Sequence, residues 1–131
     1  MIVVDASAIT EFLLQTPLGQ RVESRLFRDA EALHAPHLID VEVLQALRRL
    51  ARSGDVRPER AQEAFDDLGM LAVRRHPHLD LLSRVWELRE NLTAYDAVYV
   101  ALAEASDAPL VTCDARLASS PGHEARIEVV R

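Results

Sequence analysis

Lysine is missing from this sequence: all fifteen basic side chains among its 131 residues are arginines. That closes every chemistry built on a lysine amine, including Schiff-base catalysis, the phosphate-gripping lysine of a P-loop and the lysine of receiver-type phosphorylation domains. A GC-rich coding sequence is enough to produce the bias, so the arginines by themselves name no function. Cysteine occurs once, as Cys113, which excludes an internal disulfide and agrees with a reducing compartment. Four glycines and 5% aromatics are too few for a many-turned all-β chain. No apolar run is long enough to cross a bilayer, and the start, Met1-Ile2-Val3-Val4-Asp5, has no basic flank or signal pattern. The expectation is a cytoplasmic protein with no membrane partner.

What is present is a globular composition, 49% apolar, enough for the core of one domain over residues 1–131. Hydrophobic periodicity alternates between strand and helix. Ile2 to Val4 reads as a buried strand, and Ala8, Ile9, Phe12 and Leu13 follow at helical spacing. Val22, Leu26 and Ala30 mark a second helix, and Leu33 to Ala35 a second strand closed by Pro36. Val41, Leu44, Leu47, Leu50 and Ala51 form a helical stripe ending at Ser53-Gly54. Pro58 opens a helix that runs to about Leu68-Gly69. Leu71 to Arg75 is a third strand, and Leu79, Leu82, Val85, Trp86 and Leu88 form one helical face. Thr93 to Ala105 is an alanine-rich helix, apolar on most sides and so expected to be buried. Leu110 to Thr112 and Ile127 to Val130 complete five short strands. Strands separated by helices predict a three-layer α/β/α domain with a mostly parallel five-stranded sheet.

In such sheets ligands bind at the carboxyl ends of the strands, and four acids fall at or near those places. Asp5 follows the first strand directly. Asp114 lies two residues past Thr112. Asp96 occupies the first turn of the buried helix, and Glu42 sits early in its helix, at the border of the apolar stripe. Each also has an ordinary local role open to it. Asp5 can cap a helix, Glu42 can face the helix dipole, Asp96 can complete a capping box with Thr93, and Asp114 can be a turn residue. Gathered together, four carboxylates would repel unless a cation joined them. An oxygen-only set, with no Cys/His pattern at zinc spacing, favours Mg²⁺ or Mn²⁺. Two such ions can activate water for in-line attack on a phosphodiester. They would also resolve an apparent contradiction, because a net charge of −6 is unfavourable for binding a polyanion unless the acids themselves hold cations.

The local contexts of these acids resemble one family. Val3-Val4-Asp5-Ala6-Ser7 resembles the opening of PIN-domain proteins, especially VapC-type toxins of toxin–antitoxin pairs. Pro36 followed by Glu42 and the helix through Leu44–Leu50 is similar to the family's second acidic position. Thr93-Ala94-Tyr95-Asp96-Ala97-Val98-Tyr99-Val100-Ala101-Leu102-Ala103 resembles its most recognisable segment. Ala108-Pro109-Leu110-Val111-Thr112-Cys113-Asp114-Ala115-Arg116-Leu117 is similar to its closing strand and fourth acid. The resemblance implies a PIN-like fold and a Mg²⁺- or Mn²⁺-dependent endoribonuclease that uses metal-activated water, with Asp5, Glu42, Asp96 and Asp114 as catalytic metal ligands. Ser7 and Thr112 would orient ligands or water, although a helix cap or strand-end hydrogen bond explains either hydroxyl as well. The resemblance further implies a VapB-like antitoxin, a homodimer, and tRNA or ribosomal RNA as substrate. Some relatives carry another acid two places after the fourth, where this chain has Arg116, which bears on whether a second ion is held.

Arg48, Arg49 and Arg52 lie on the polar face of the Glu42 helix, either as a solvated face or as contacts to RNA phosphates. Trp86 reads as core or dimer packing rather than base stacking. Cys113 reads as a small buried hydrophobe rather than a nucleophile, and the five histidines as structural or solvent-facing. A haloacid-dehalogenase-like phosphatase would need a second Asp where Ser7 stands, plus a lysine. A dinucleotide-binding domain would need a glycine-rich turn after Val4. The alternative from another class is a catalytically inactive PIN-like module that only binds RNA or a partner, against which four retained acids argue.

Overall fold

The computed structural model describes residues 1–131. β1 (Ile2–Val4) leads into α1 (Ala6–Leu14) and α2 (Pro17–Leu26), and then β2 (Leu33–Pro36), α3 (Leu38–Ser53) and α4 (Pro58–Met70). β3 (Val73–His76) follows, then a 3₁₀ turn at Leu79–Leu81, α5 (Leu82–Glu87), α6 (Ala94–Ser106), β4 (Leu110–Thr112), α7 (Ala115–Ser119) and β5 (Ile127–Val129). The sheet order is β3-β2-β1-β4-β5 and every neighbouring pair is parallel. The expected mostly parallel sheet is therefore wholly parallel. Right-handed crossovers place α1–α4 on one face and α5–α7 on the other, giving three layers. Successive connections run one way from β1 and the other way to β4. A crevice therefore opens between the carboxyl ends of those two central strands.

Local sequence explains most boundaries. Pro17 and Pro58 start α2 and α4, where a missing N–H costs nothing, and Thr16 caps α2 through Gly19 N–H at 2.8 Å. Gly54 closes α3 at φ +82°, a backbone conformation open to glycine without strain. Gly19 serves a different purpose. A Cβ there would sit 1.9 Å from the Glu11 carbonyl oxygen, so only glycine lets α1 and α2 pack this closely.

Thirty buried apolar residues form the core. β1 is buried along its whole length, and in α6 the run Ala97–Ala103 is buried throughout. The alanines allow α6 to lie close against β1, β2 and β4. Two ion pairs tie distant segments together. Arg25 of α2 grips Glu128 of β5, and Arg84 of α5 donates to Glu104 of α6 and to the Gly122 carbonyl.

Four local readings need correction. The buried face of α3 is Ile39, Val43 and Leu47, while Val41 and Leu44 face solvent. α2 stops at Leu26, and Ala30 lies in the following loop at φ +53°. β3 begins two residues later than expected and reaches His76, whose ring nitrogen Nε2 lies 2.7 Å from Nδ1 of His34. Trp86 is not core: it is 68% exposed, with Leu79 and Leu82 exposed beside it and Arg89 stacked over its ring. Only Val85 and Leu88 of that stripe reach the interior.

Candidate active site

Asp5 leaves β1 at the crevice and caps α1, accepting from Ala8 N–H at 3.0 Å. Ser7 donates to the same carboxylate oxygen at 2.7 Å, and Thr112, at the end of β4, donates to the other. Each hydroxyl spends its single hydrogen on Asp5 and accepts a backbone N–H with its lone pairs. Ser7 Oγ receives Cys113 N–H and Thr112 Oγ1 receives Asp114 N–H, both at 2.9 Å. β1 and the β4–α7 turn are thereby fastened to one carboxylate. Asp5 is 7% exposed. Burial raises its pKa above the ordinary aspartate range, opposed by Thr112, Ser7 and Ala8 and reinforced by Asp96.

Asp96 and Glu42 come from opposite layers. Thr93 caps α6 through Asp96 N–H at 3.1 Å, and the Asp96 carboxylate lines the crevice. Burial raises its pKa, with Asp114 adding repulsion. Glu42 projects from the fifth position of α3, half-buried. Its pKa is likewise raised, by burial first, opposed by the Tyr99 hydroxyl and reinforced by Asp96 and Asp5. Asp5 and Glu42 thus feel the charge of Asp96, and Asp96 that of Asp114, and no salt bridge neutralises Glu42.

Asp114 differs. It caps the short α7 and is gripped by Arg116, whose Nη2 lies 2.6 Å from Oδ2 and whose Nε lies 3.1 and 3.2 Å from the two oxygens. That pairing, more than any other influence, holds Asp114 below the usual aspartate range. The four acids line one cavity of about 660 Å³. Glu11 and Asp55 add two more carboxylates to its wall, and Arg49 is the only basic residue there. Cys113 also borders it, half-buried rather than buried. Burial, then the charges of Asp5 and Glu11, push its thiol up to about 11, so it is not a nucleophile at neutral pH.

The donor set suits a hard divalent cation: oxygen only, partly desolvated, and mutually repulsive without one. As the side chains stand they do not form a closed cage, and no three acidic, histidine or cysteine side chains are yet at ligating distance of a common point. Asp5 is turned toward its hydroxyl donors and Asp114 toward Arg116.

The PIN domain family pattern matches residues 2–122. The chain belongs to the PIN-domain family. Its relatives are of the VapC type. It is 44% identical over 130 residues to Ribonuclease VapC1 of Mycobacterium tuberculosis, covering 98% of this chain and 97% of that one. It is 46% identical to Ribonuclease VapC9 of the same organism, covering 99% and 98%. Among solved structures it superposes on PAE2754 of Pyrobaculum aerophilum with a TM-score of 0.70 at 29% identity, covering 98% of this chain and 83% of that one. VapBC2 of Rickettsia felis, solved bound to a promoter DNA fragment, shares the fold with a TM-score of 0.71 at 14% identity, each chain covered in full.

In this PIN domain, Asp5, Glu42, Asp96 and Asp114 reach one cavity, and Ser7 and Thr112 touch Asp5 directly. Of the three arginines on α3, Arg49 lines the cavity; Arg48 and Arg52 are exposed outside it and, like Arg49, lack an acidic partner. Sequence reasoning passed over Tyr99, Glu11, Thr10 and Asp55, all in the cavity wall. Tyr99 had a usable signal: it lies three residues after Asp96 and therefore on the same helical face.

Proposed function

We propose that this PIN domain is a Mg²⁺- or Mn²⁺-dependent endoribonuclease, the toxin of a VapBC-like pair, that hydrolyses RNA phosphodiesters in the acidic cavity. The observation that carries the reading is the meeting of Asp5, Glu42 and Asp96, three carboxylates from three segments whose charges burial and proximity disfavour, at the crevice between β1 and β4. Such an arrangement costs stability and has a use only when a cation completes it. Support from relatives comes from chains named ribonucleases at 44% and 46% identity over nearly their full length.

Asp5, Asp96 and Asp114 would hold the ion or ions, and Glu42 would complete the set or orient the attacking water. A divalent ion held there supplies Lewis-acid activation of water and offsets the charge of the acids. Ser7 and Thr112 keep Asp5 in one orientation, so little rearrangement of that carboxylate is left to do. Arg49, in the cavity wall, would donate to a non-bridging phosphate oxygen, with Arg48 and Arg52 contacting phosphates further out. Water would add to phosphorus, giving up a proton, as the bond to the leaving ribose oxygen breaks and that oxygen takes up a proton from solvent.

A VapB-like antitoxin is the partner that this reading implies, with support from the VapBC2 structure. A structured RNA, tRNA or ribosomal RNA, is the expected substrate. VapC20 of Mycobacterium tuberculosis, which shares the fold (TM-score 0.68, 17% identity, covering 95% and 97%), is described as a Sarcin-Ricin loop cleaving toxin. Cytoplasmic action and a homodimer belong to the same proposal. No helix is long and apolar enough to cross a membrane.

The test is cleavage of RNA by purified protein with Mg²⁺, with EDTA, and by an Asp5→Asn variant. Cleavage should require the ion and fall by about 100-fold or more in the variant, the scale of losing one preorganised electrostatic contact. EDTA-resistant cutting, an undiminished variant, or RNA binding without cutting would contradict the reading.

A further inference from the structure

Tyr99 is the one polar side chain in the buried run Ala97–Ala103 of α6. It is 2% exposed and lines the acidic cavity, yet its hydroxyl makes no hydrogen bond of good geometry, although the Glu42 carboxylate is near enough to act on it. A buried hydroxyl loses its water on folding and normally regains a partner, so an orphan of this kind marks a place that something else completes. Packing alone does not explain it, because a phenylalanine ring would fill the same space without the stranded O–H.

The neighbouring acids show what completes it. Asp5 is already held by three donors, and Asp114 by Arg116. Glu42, by contrast, reaches the cavity on a longer side chain from α3, with no ion pair to fix it. Apart from burial, Glu42 is the strongest influence on Tyr99, ahead of Asp5 and Asp96. α6 and α3 lie in different layers, so a bond between these two side chains would join the layers across the crevice.

We infer that Tyr99 is a positioning residue whose O–H fixes the Glu42 carboxylate when the acids close on a cation, leaving the second carboxylate oxygen for the ion or the water. This rests on the metal-dependent reading above. A phenol O–H donating to one oxygen removes one orientation of the carboxylate from the competition, as the partners of other metal ligands do. Ser7 and Thr112 serve Asp5 in the same way, from the β1 and β4 side of the cavity.

The experiment is calorimetric titration of Mn²⁺ into wild type, Tyr99→Phe, Glu42→Gln, the double variant and Asp5→Asn, with kcat and KM for RNA cleavage and thermal unfolding of each. Tyr99→Phe should weaken Mn²⁺ about 10-fold and lower kcat at unchanged KM, while the metal-free protein melts no lower than wild type. In the Glu42→Gln background the same change should have no further effect on affinity or kcat, because the two side chains act as one unit. Unchanged Mn²⁺ affinity in Tyr99→Phe, an equal loss with or without Glu42, or a lower melting temperature of the metal-free variant would overturn the positioning role. Asp5→Asn binding Mn²⁺ like wild type would instead remove the metal-dependent reading on which the role depends.

Discussion

At the scale of single residues, Asp5 and Asp114 each do two things with one carboxylate. They cap α1 and α7, and they line the cavity. The capping role and the site role are not rivals, because the end of a parallel strand and the start of the next helix meet at the edge where ligands bind. That is why both could be anticipated from strand ends and helix starts. For Tyr99 and Arg49 sequence offers only a helical face, the one Asp96 shares and the polar side of α3; which of their neighbours also reach the cavity depends on how α3 and α6 are set across the crevice. The acids also make a pH prediction. Glu42 has a raised pKa in the fold, so it binds its proton more tightly folded than unfolded. The stability from that proton is present below the ordinary glutamate value, near 4.3, and is lost as pH rises through the higher folded value. Glu42→Gln removes the charge with almost no change of shape and deletes no hydrogen bond to a backbone group. Allowing for screening at a half-exposed site, the metal-free variant should melt roughly 2 °C or more above wild type at pH 7, the shift that a fraction of a kcal/mol produces at this chain length. The gap should close toward pH 4 in melting curves followed by circular dichroism.

Among elements, those whose burial is all-round were read more faithfully than those that bury one side. β1 and α6 are apolar in every direction, and their limits emerge within a residue or two. The pattern of α3 leaves its buried side open, because Val41, Leu44 and Leu47 fit helical spacing as well as Ile39, Val43 and Leu47 do. The face that lies on the sheet is decided by the sheet. α5 is six residues long and packs on α6; only Val85 and the Leu88 that follows it are buried, so Leu79, Leu82 and Trp86 are left outside, and periodicity shows an apolar face without showing what it meets. α7 is five residues long and leaves no pattern of its own. Gly19 gives the element-scale prediction. Because its missing Cβ would collide with backbone rather than with a flexible side chain, Gly19→Ala must push α2 off α1. It should cost about 1–3 kcal/mol, read as a lower urea midpoint at unchanged slope. Glu11, whose carbonyl is the obstacle, lines the cavity, so the variant should also cleave RNA more slowly.

For the whole molecule, the sheet order does the organising. With β1 and β4 at the centre and connections leaving in opposite directions, residues 5, 42, 96 and 114 are brought to one crevice although they span most of the chain. With a net charge of −6 and six carboxylates around the cavity, the proposed RNA binding would depend on cations held there and on the few arginines that face the groove, Arg49 first. The fold, the alternation of layers and the grouping of the acids follow from pattern and spacing. The orientation of each carboxylate does not, because Asp5 faces Ser7 and Thr112 and Asp114 faces Arg116, partners set by the turn after β4. The proposed activity stands or falls on whether Asp5, Asp96 and Asp114 share a divalent ion, with Glu42 beside it. Anomalous diffraction from crystals grown with Mn²⁺ tests it most directly: a manganese peak should lie among those three carboxylates and be absent in Asp5→Asn crystals. An empty crevice at saturating Mn²⁺, or a peak only elsewhere on the surface, would contradict it.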